Sequence, residues 1–435
     1  MALDATAESK IESARFIVLG NVDAGKSSFI SVMTNKILDD GNGAARKKCV
    51  SSKQELETGR TSKHKPYYLV ENNEITTLID LCGHEKYFGT TAFGITALFA
   101  DFGILVIGAN MGLVGMVREH LGLLITRRIP FLVVISKVDD ICPEHVLQST
   151  INTLNATLIK NKRTPEHVEN LTVIPKIFED GFTQANDKNL KFRDNFRRVP
   201  IVKISNKTGL NIDELRNVLC QIRSRTYLEA KNIIPKVLNS HASAGIFYID
   251  TIFNVRGVGL VLSGTNKYAQ INVGQKLYLG PVGGEYVTIT IKSMHNSIRE
   301  NVTFLRDNEA GSIGIRFESK HIYARSMFNK GQVAVTDVVF AKKHTTKKFK
   351  AIVVLPNHGT TIRHGYQSTI HCRTTRQAAR LITEEPASRT PLEINKETTV
   401  SFEFLKKAEL ILPGTTFIFR DGKTKGFGQV TELLN

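Results

Sequence analysis

The chain has 435 residues, with 58 lysines and arginines against 41 aspartates and glutamates, a formal net charge of +17 and a pI of about 9.6. That length suits two to four domains, and the positive excess points to a polyanionic partner such as nucleic acid. Five scattered cysteines without a C-x-x-C pair argue against a disulfide framework or zinc site and for a reducing compartment. The polar start "MALDATAESKIESARF" does not read as a signal peptide. The longest uncharged apolar stretch, "FGILVIGANMGLVGMV", falls short of the ~18 residues of a membrane-spanning helix. A soluble, cytoplasmic protein with no membrane partner is expected.

In chain order, residues 1–14 read as a flexible tail, "RFIVLG" (15–20) as a β-branched strand, and "KSSFISVMTNKI" as a helix. "TTLIDL" (76–81) is the next strand and "YFGTTAFGITALF" the next helix. Then come the strand "FGILVIGA" (102–109), a helix around 118–128, the strand "PFLVVIS" (130–136), a helix near 144–160, and the strand "PIVKIS" (200–205). A last helix is expected from Asn211, with the Asn211 side chain as cap and Glu214 completing a capping box. Near-continuous apolar strands alternating with helices predict a mostly parallel sheet covered on both faces over residues 15–228. Two polar insertions, 39–66 and 160–198, read as surface loops or helices. After a linker at 229–239, short glycine-punctuated strands such as "IFYIDTIFNV", "YVTITIKSM" and "TVSFEFL" predict two β-barrels, 240–335 and 336–435.

"GNVDAGKS" fits G-x-x-x-x-G-K-[ST] with Gly20, Gly25, Lys26 and Ser27, between a strand and a helix as that motif requires. The loop from Asn21 through Val22, Asp23, Ala24 and Gly25 to Ser28 is expected to wrap a phosphate with backbone N–H groups at a helix N-terminus. Lys26 would meet the β- and γ-phosphates and Ser27 would hold Mg²⁺. Asp80, ending the next apolar strand, would hold Mg²⁺ opposite Ser27, and Gly83 would bring its N–H to the γ-phosphate. In "VVISKVDD", the Asp139 carboxylate can accept from guanine N1–H and N2–H₂, which adenine cannot supply, while Lys137 lies across the base. The usual form of that motif is N-K-x-D, and Ser136 replaces the asparagine. Ser205, Asn206 and Lys207 of "ISNKTG" are placed to cover guanine O6. A threonine sensing the γ-phosphate belongs between the first helix and the Asp80 strand, where "ELETGRTSKHK" offers Thr58 and Thr61. The fold class is thus an α/β P-loop GTPase domain followed by two β-barrel domains, with GTP or GDP as ligand.

This ordered set, followed by two barrels, resembles the translational GTPases of the elongation factor Tu and elongation factor one-alpha class. "GNVDAGKS" is similar to their G-H-V-D-x-G-K-[ST] and "DLCGH" to their D-x-P-G-H. "LDDGNGAARKK", "ETGRTS", "GHEKYFGTTAFG", "GLVGMVREHLGL" and "YQSTIHCRTTRQAA" are similar to the branch of GTP-binding proteins one and two. The resemblance spans residues 15 to 435. It aligns Thr61 with the Mg²⁺-binding switch threonine and His84 with the residue that orients the attacking water. It implies that Asp23 helps to hold a monovalent cation. Val22 keeps one of the two apolar residues that fence this histidine in elongation factor Tu, Arg60 replaces the other, and Cys82 replaces proline as a small buried residue. The resemblance further implies aminoacyl-tRNA or the ribosome as partner, with no DNA, and a monomer acting in elongation, rescue or RNA surveillance. "KKHTTKKFK" (342–350), Arg363, Arg373, Arg376 and Arg380 are candidates to meet RNA phosphates. The alternative is a GTP-dependent RNA-binding scaffold with negligible turnover.

Overall fold

Seven strands build the sheet of the first half of the chain, in the order β2-β3-β1-β4-β5-β7-β6. They are β1 (Ile11–Gly20), β2 (Lys65–Glu71), β3 (Glu74–Asp80), β4 (Phe102–Gly108), β5 (Phe131–Ser136), β6 (Thr164–His167) and β7 (Arg198–Lys203). The helices between them are α1 (Lys26–Asn35), α2 (Ala44–Lys47), α3 (Phe88–Ala97), α4 (Met116–Thr126), α5 (Glu144–Lys160), α6 (Ile174–Thr183) and α7 (Ile212–Gln221). The structure is a computed structural model that describes residues 11–49, 65–83, 88–139, 142–183, 196–224, 244–318, 327–357, 362–383, 392–394, 396–421 and 424–434. It divides into two compact units, one of residues 1–94 and 100–235, the other of residues 95–99 and 236–435.

In the first unit β1, β3, β4, β5, β7 and β6 run parallel, so β1, β3, β5 and β7 end on the same edge of the sheet. Central β1 carries Phe16, Ile17, Val18 and Leu19 with no exposed surface, as a strand covered on both faces requires. The Phe102 ring packs against Phe16 at 5.3 Å and Phe178 at 4.8 Å, tying β1, β4 and α6 into one core.

β1 begins at Ile11, inside the stretch expected as a tail, where Ser13 and Ala14 are buried against the sheet, and three further features differ from the sequence reading. First, β2, at the end of the 39–66 insertion, is an antiparallel edge strand paired with β3. Its hairpin turns on Asn72 and Asn73, with φ of 47° and 64°, the left-handed pair that a two-residue turn demands and that asparagine tolerates. Second, the 160–198 insertion contributes the edge strand β6 and the helix α6, whose Ile174, Ile177, Phe178 and Phe182 are buried. Third, Asn211 does not cap α7 with its side chain. Its backbone is left-handed, φ 59°, and its carboxamide donates to Lys203 O at 2.9 Å, while Glu214 accepts from Leu171 N at 3.2 Å.

The second unit holds two closed six-stranded antiparallel barrels. In the first, strands Lys276–Val282, Val333–Val335, Ile246–Val255, Gly259–Lys267, Ala310–Phe317 and Glu285–Asn296 follow one another, and the last pairs back onto the first. In the second, the order is Lys348–Asn357, Thr398–Phe404, Thr375–Ile382, Gln367–Cys372, Thr416–Asp421 and Thr424–Leu434, again closed on itself. Closure leaves no strand edge unpaired. Phe349, Phe402, Phe404, Phe417 and Phe419 fill the second barrel without exposed surface. Between the barrels, α8 (Val338–Lys343) starts at Asp337, whose carboxylate accepts from Val339 N at 2.8 Å and Phe340 N at 3.1 Å. Among the described residues no helix is long and apolar enough to cross a membrane.

Candidate functional site

The loop between β1 and α1 is built to face an anion. Asp23 and Gly25 take φ of 60° and 84°, the α1 N-terminus has no side-chain cap, and its first turn holds no acidic residue. Unopposed N–H groups and the helix dipole therefore point outward, as in a phosphate cradle. Lys26 is buried, its Nζ donates to Asn21 O at 2.6 Å, and burial lowers its pKa against the opposing pull of Asp80. Val22 is half-buried and Asp23 is exposed.

The end of β3 lies beside this loop. Ser27 Oγ donates to Asp80 Oδ2 at 3.1 Å, joining the two side chains expected to share Mg²⁺. One hydroxyl and one carboxylate suit a hard cation that takes its remaining ligands from water and phosphate. Gly83 closes over the loop: a Cβ there would lie 2.5 Å from Lys26 Nζ and 2.8 Å from Gly20 O. Cys82 is fully buried and its carbonyl accepts from Thr91 Oγ1 at 3.0 Å, pinning α3 to the β3 end. Thr58, Arg60, Thr61 and His84 lie outside the described residues.

The ends of β5 and β7 complete the arrangement. Ser136 is fully buried, and its hydroxyl donates to Ala24 O at 2.7 Å, with Ile107 O at 3.3 Å. Lys137 has φ 61°. The Asp139 carboxylate accepts from Ser205 Oγ at 2.7 Å through Oδ2, while its Oδ1 is buried with no hydrogen-bond partner among the described residues. Ser205 Oγ also accepts from Lys207 N at 3.2 Å and Thr208 N at 3.0 Å, which shapes the loop after β7. Asn206 is buried and Lys207 exposed. A carboxylate held by one oxygen with the other unfilled can accept from a neighbouring N–H pair.

All the described residues expected at the site thus converge on one sheet edge, the position where open α/β sheets take ligands. One contact there escaped the sequence reading. His120, on α4 and fully buried, accepts from Gly20 N at 3.1 Å through Nδ1, holding the first residue of the phosphate loop. "REHLGL" marks the segment, but only the fold puts that imidazole beneath Gly20.

The basic positions of the second barrel are mixed. Arg363, Arg376 and Arg380 are exposed, the latter two on one face of the Thr375–Ile382 strand. Lys342 pairs with Glu285 at 2.7 Å and Lys348 with Glu403 at 3.6 Å. Arg373 lies over the Phe99 ring, 4.8 Å from its centre, within the second unit.

Comparison with known proteins agrees with this geometry. The elongation factor Tu GTP binding domain family matches residues 12–224. The chain is 34% identical over 450 residues to GTP-binding protein 1 of Xenopus laevis, covering 97% of this chain and 63% of that protein. It is 31% identical over 447 residues to GTP-binding protein 2 of Mus musculus, covering 96% of this chain and 69% of that protein. The chain therefore spans about two thirds of the length of these relatives. Among solved structures, the GTPase-like domain of S. cerevisiae Ski7 bound to GTP shares the fold, with a TM-score of 0.69 at 14% identity over 97% of this chain and 98% of that one. The chain belongs to the family of GTP-binding protein 2, and its residues 12–224 match the elongation factor Tu GTP binding domain.

Proposed function

We propose that this chain binds GTP with Mg²⁺ and hydrolyses it to GDP and phosphate as a switch in translation or RNA surveillance. The observation that carries the guanine reading is Asp139: Ser205 holds Oδ2, and Oδ1 is buried without a partner among the described residues. The N1–H and N2–H₂ edge of guanine satisfies that oxygen, while Lys137 and the loop of Ser205, Asn206 and Lys207 flank the base. Asn21 to Ser28 and Lys26 bind the phosphates, and Gly83 meets the γ-phosphate. Ser27, Asp80 and Thr61 hold Mg²⁺, which when bound neutralises phosphate charge. Asp23 helps to hold a monovalent cation. The role of His84, orienting the attacking water, rests on its motif.

The nucleotide domain, 15–228, works with the barrels at 240–335 and 336–435 as a cytoplasmic monomer that engages aminoacyl-tRNA or the ribosome. The exposed Arg363, Arg376 and Arg380 and the net charge of +17 support an RNA partner. Exchanging Asp139 for asparagine tests the base: the variant loses GTP preference and gains xanthosine nucleotides, and unchanged preference overturns the guanine reading. GTP turnover with and without ribosomes and aminoacyl-tRNA tests the role. Stimulation lost in His84→Ala supports the hydrolytic switch, and GTP binding without turnover under either condition replaces it with a scaffold.

A further inference from the structure

A serine at 136 offers the phosphate loop one donor from that strand end, where an asparagine would supply a carboxamide with two N–H donors and a carbonyl. The Ser136 hydroxyl has a single proton, directed at Ala24 O at 2.7 Å. The adjoining carbonyl, Gly25 O, is met from a different strand. Asn206, in the loop after β7 and only 8% exposed, donates from Nδ2 to Gly25 O at 3.5 Å. The two side-chain tips converge: a Cβ on Gly25 would lie 3.4 Å from Asn206 Nδ2 and 3.6 Å from Ser136 Oγ. Asn206 is itself anchored on its backbone, where its carbonyl accepts from Asp39 N at 2.9 Å. Among the described residues its Oδ1 is buried without a hydrogen-bond partner, and the carboxamide is held through its amino end.

We propose that Ser136 and Asn206 divide between them the tether that one asparagine at 136 would make, and that Asn206 is a positioning residue for nucleotide binding. It joins the loop that covers the base to the loop that wraps the phosphates, at the Gly25 carbonyl next to the Ala24 carbonyl that Ser136 holds. Asn206 stands next to Ser205, which holds Asp139, so base and phosphate loops move as one body. This rests on the guanine reading of Asp139 given above and gives Asn206 of the same site a second role.

The test is the release rate of a fluorescent GDP analogue from the full chain in four forms: wild type, Asn206→Ala, Ser136→Asn and the double variant. Loss of the Asn206 tether speeds release on the order of tenfold, the scale of one net hydrogen bond. Ser136→Asn alone also speeds release, because its carboxamide meets that of Asn206 at Gly25. The double variant returns to within about threefold of wild type, since the new carboxamide then occupies the vacated space; such a sign reversal is coupling between neighbours and not two separate losses. Asn206→Asp keeps the size, turns the donor into an acceptor, and releases GDP at least as fast as Asn206→Ala. Wild-type release rates in both Asn206 variants overturn the proposal, as does a double variant that releases faster than either single one. Asp139→Asn in the same assay separates the two readings. If it shifts preference to xanthosine nucleotides while Asn206 variants behave as wild type, only the Asn206 inference fails; if it shifts nothing, the guanine reading itself fails.

Discussion

A methyl group at position 83 has no room: it would sit 2.8 Å from Gly20 O, a backbone atom of the phosphate loop, and 2.5 Å from Lys26 Nζ. Lysine can swing aside, but the carbonyl moves only with the loop. Gly83→Ala is therefore expected to lower affinity for GTP by at least about tenfold, with a smaller effect on GDP. Equal titration curves for wild type and variant, with either fluorescent nucleotide, would sink that account. His120 offers a second test from the opposite side of the loop. His120→Phe keeps the ring but removes the acceptor for Gly20 N, leaving a buried donor unmet at a cost of about 1–3 kcal/mol. Urea unfolding of the first unit reads it, and a loss below about 0.5 kcal/mol would mean that the contact is incidental. Gly83 was legible as part of a motif. His120 was not, because nothing in the 99 intervening residues says which helix passes beneath Gly20.

At the scale of elements, long apolar strands declared themselves and short polar ones did not. β4, with all seven residues buried, is a strand by composition alone. β6 has no fully buried residue, and its pairing with β7 supplies the ladder that its sequence does not advertise. α7 shows how a good local pattern can be overridden. Asn211 and Glu214 have the spacing of a capping box, yet the left-handed backbone at Asn211 turns its carboxamide to Lys203 O. The two geometries predict opposite responses to Asn211→Asp. An aspartate cap at a helix start is neutral or stabilising. In the observed geometry Lys203 O loses its donor and faces a carboxylate, so the variant is destabilised by about 1 kcal/mol or more. A urea midpoint equal to or above that of wild type would restore the capping box.

At the scale of the whole molecule, the second unit carries two buried titratable groups of opposite effect. Glu409 accepts from Gln377 Nε2 at 3.0 Å and faces Lys407 at 3.4 Å, and burial raises its pKa from 4.5 to about 7. His371, buried and near Arg376 and Arg420, is lowered from 6.5 to about 3, chiefly by burial. The folded state holds the Glu409 proton longer than the unfolded state does, so that contribution is full below pH 4.5 and is lost as pH rises through about 7. The folded state resists protonating His371, so that contribution is full above 6.5 and is lost as pH falls toward about 3. Between 4.5 and 6.5 the two slopes cancel. Glu409→Gln removes one of them. The stability of the variant relative to wild type then climbs by roughly 1.4 kcal/mol per pH unit across that window. Thermal unfolding of the second unit from pH 4 to 8 measures the difference, and parallel curves would show that Glu409 ionises as freely folded as unfolded.

The sequence by itself determined the class of fold, the order of the motifs and the chemistry each can perform. Gly25, Lys26, Ser27, Asp80 and Asp139 each carry the role proposed for them in residue type and in position after an apolar run. Local periodicity and turn chemistry act over a few residues, so such features survive in one dimension. Tertiary structure alone decided which side chains meet at adjoining carbonyls. Ser136 ends β5 and Asn206 lies in the loop after β7, 70 positions apart in the chain, and only the parallel pairing of β5 with β7 brings both tips to the adjoining carbonyls of Ala24 and Gly25. A serine where asparagine is usual is, in sequence, a substitution. In the folded chain it is half of a contact whose other half comes from the next strand, because hydrogen bonds depend on distance in space and are indifferent to distance along the backbone.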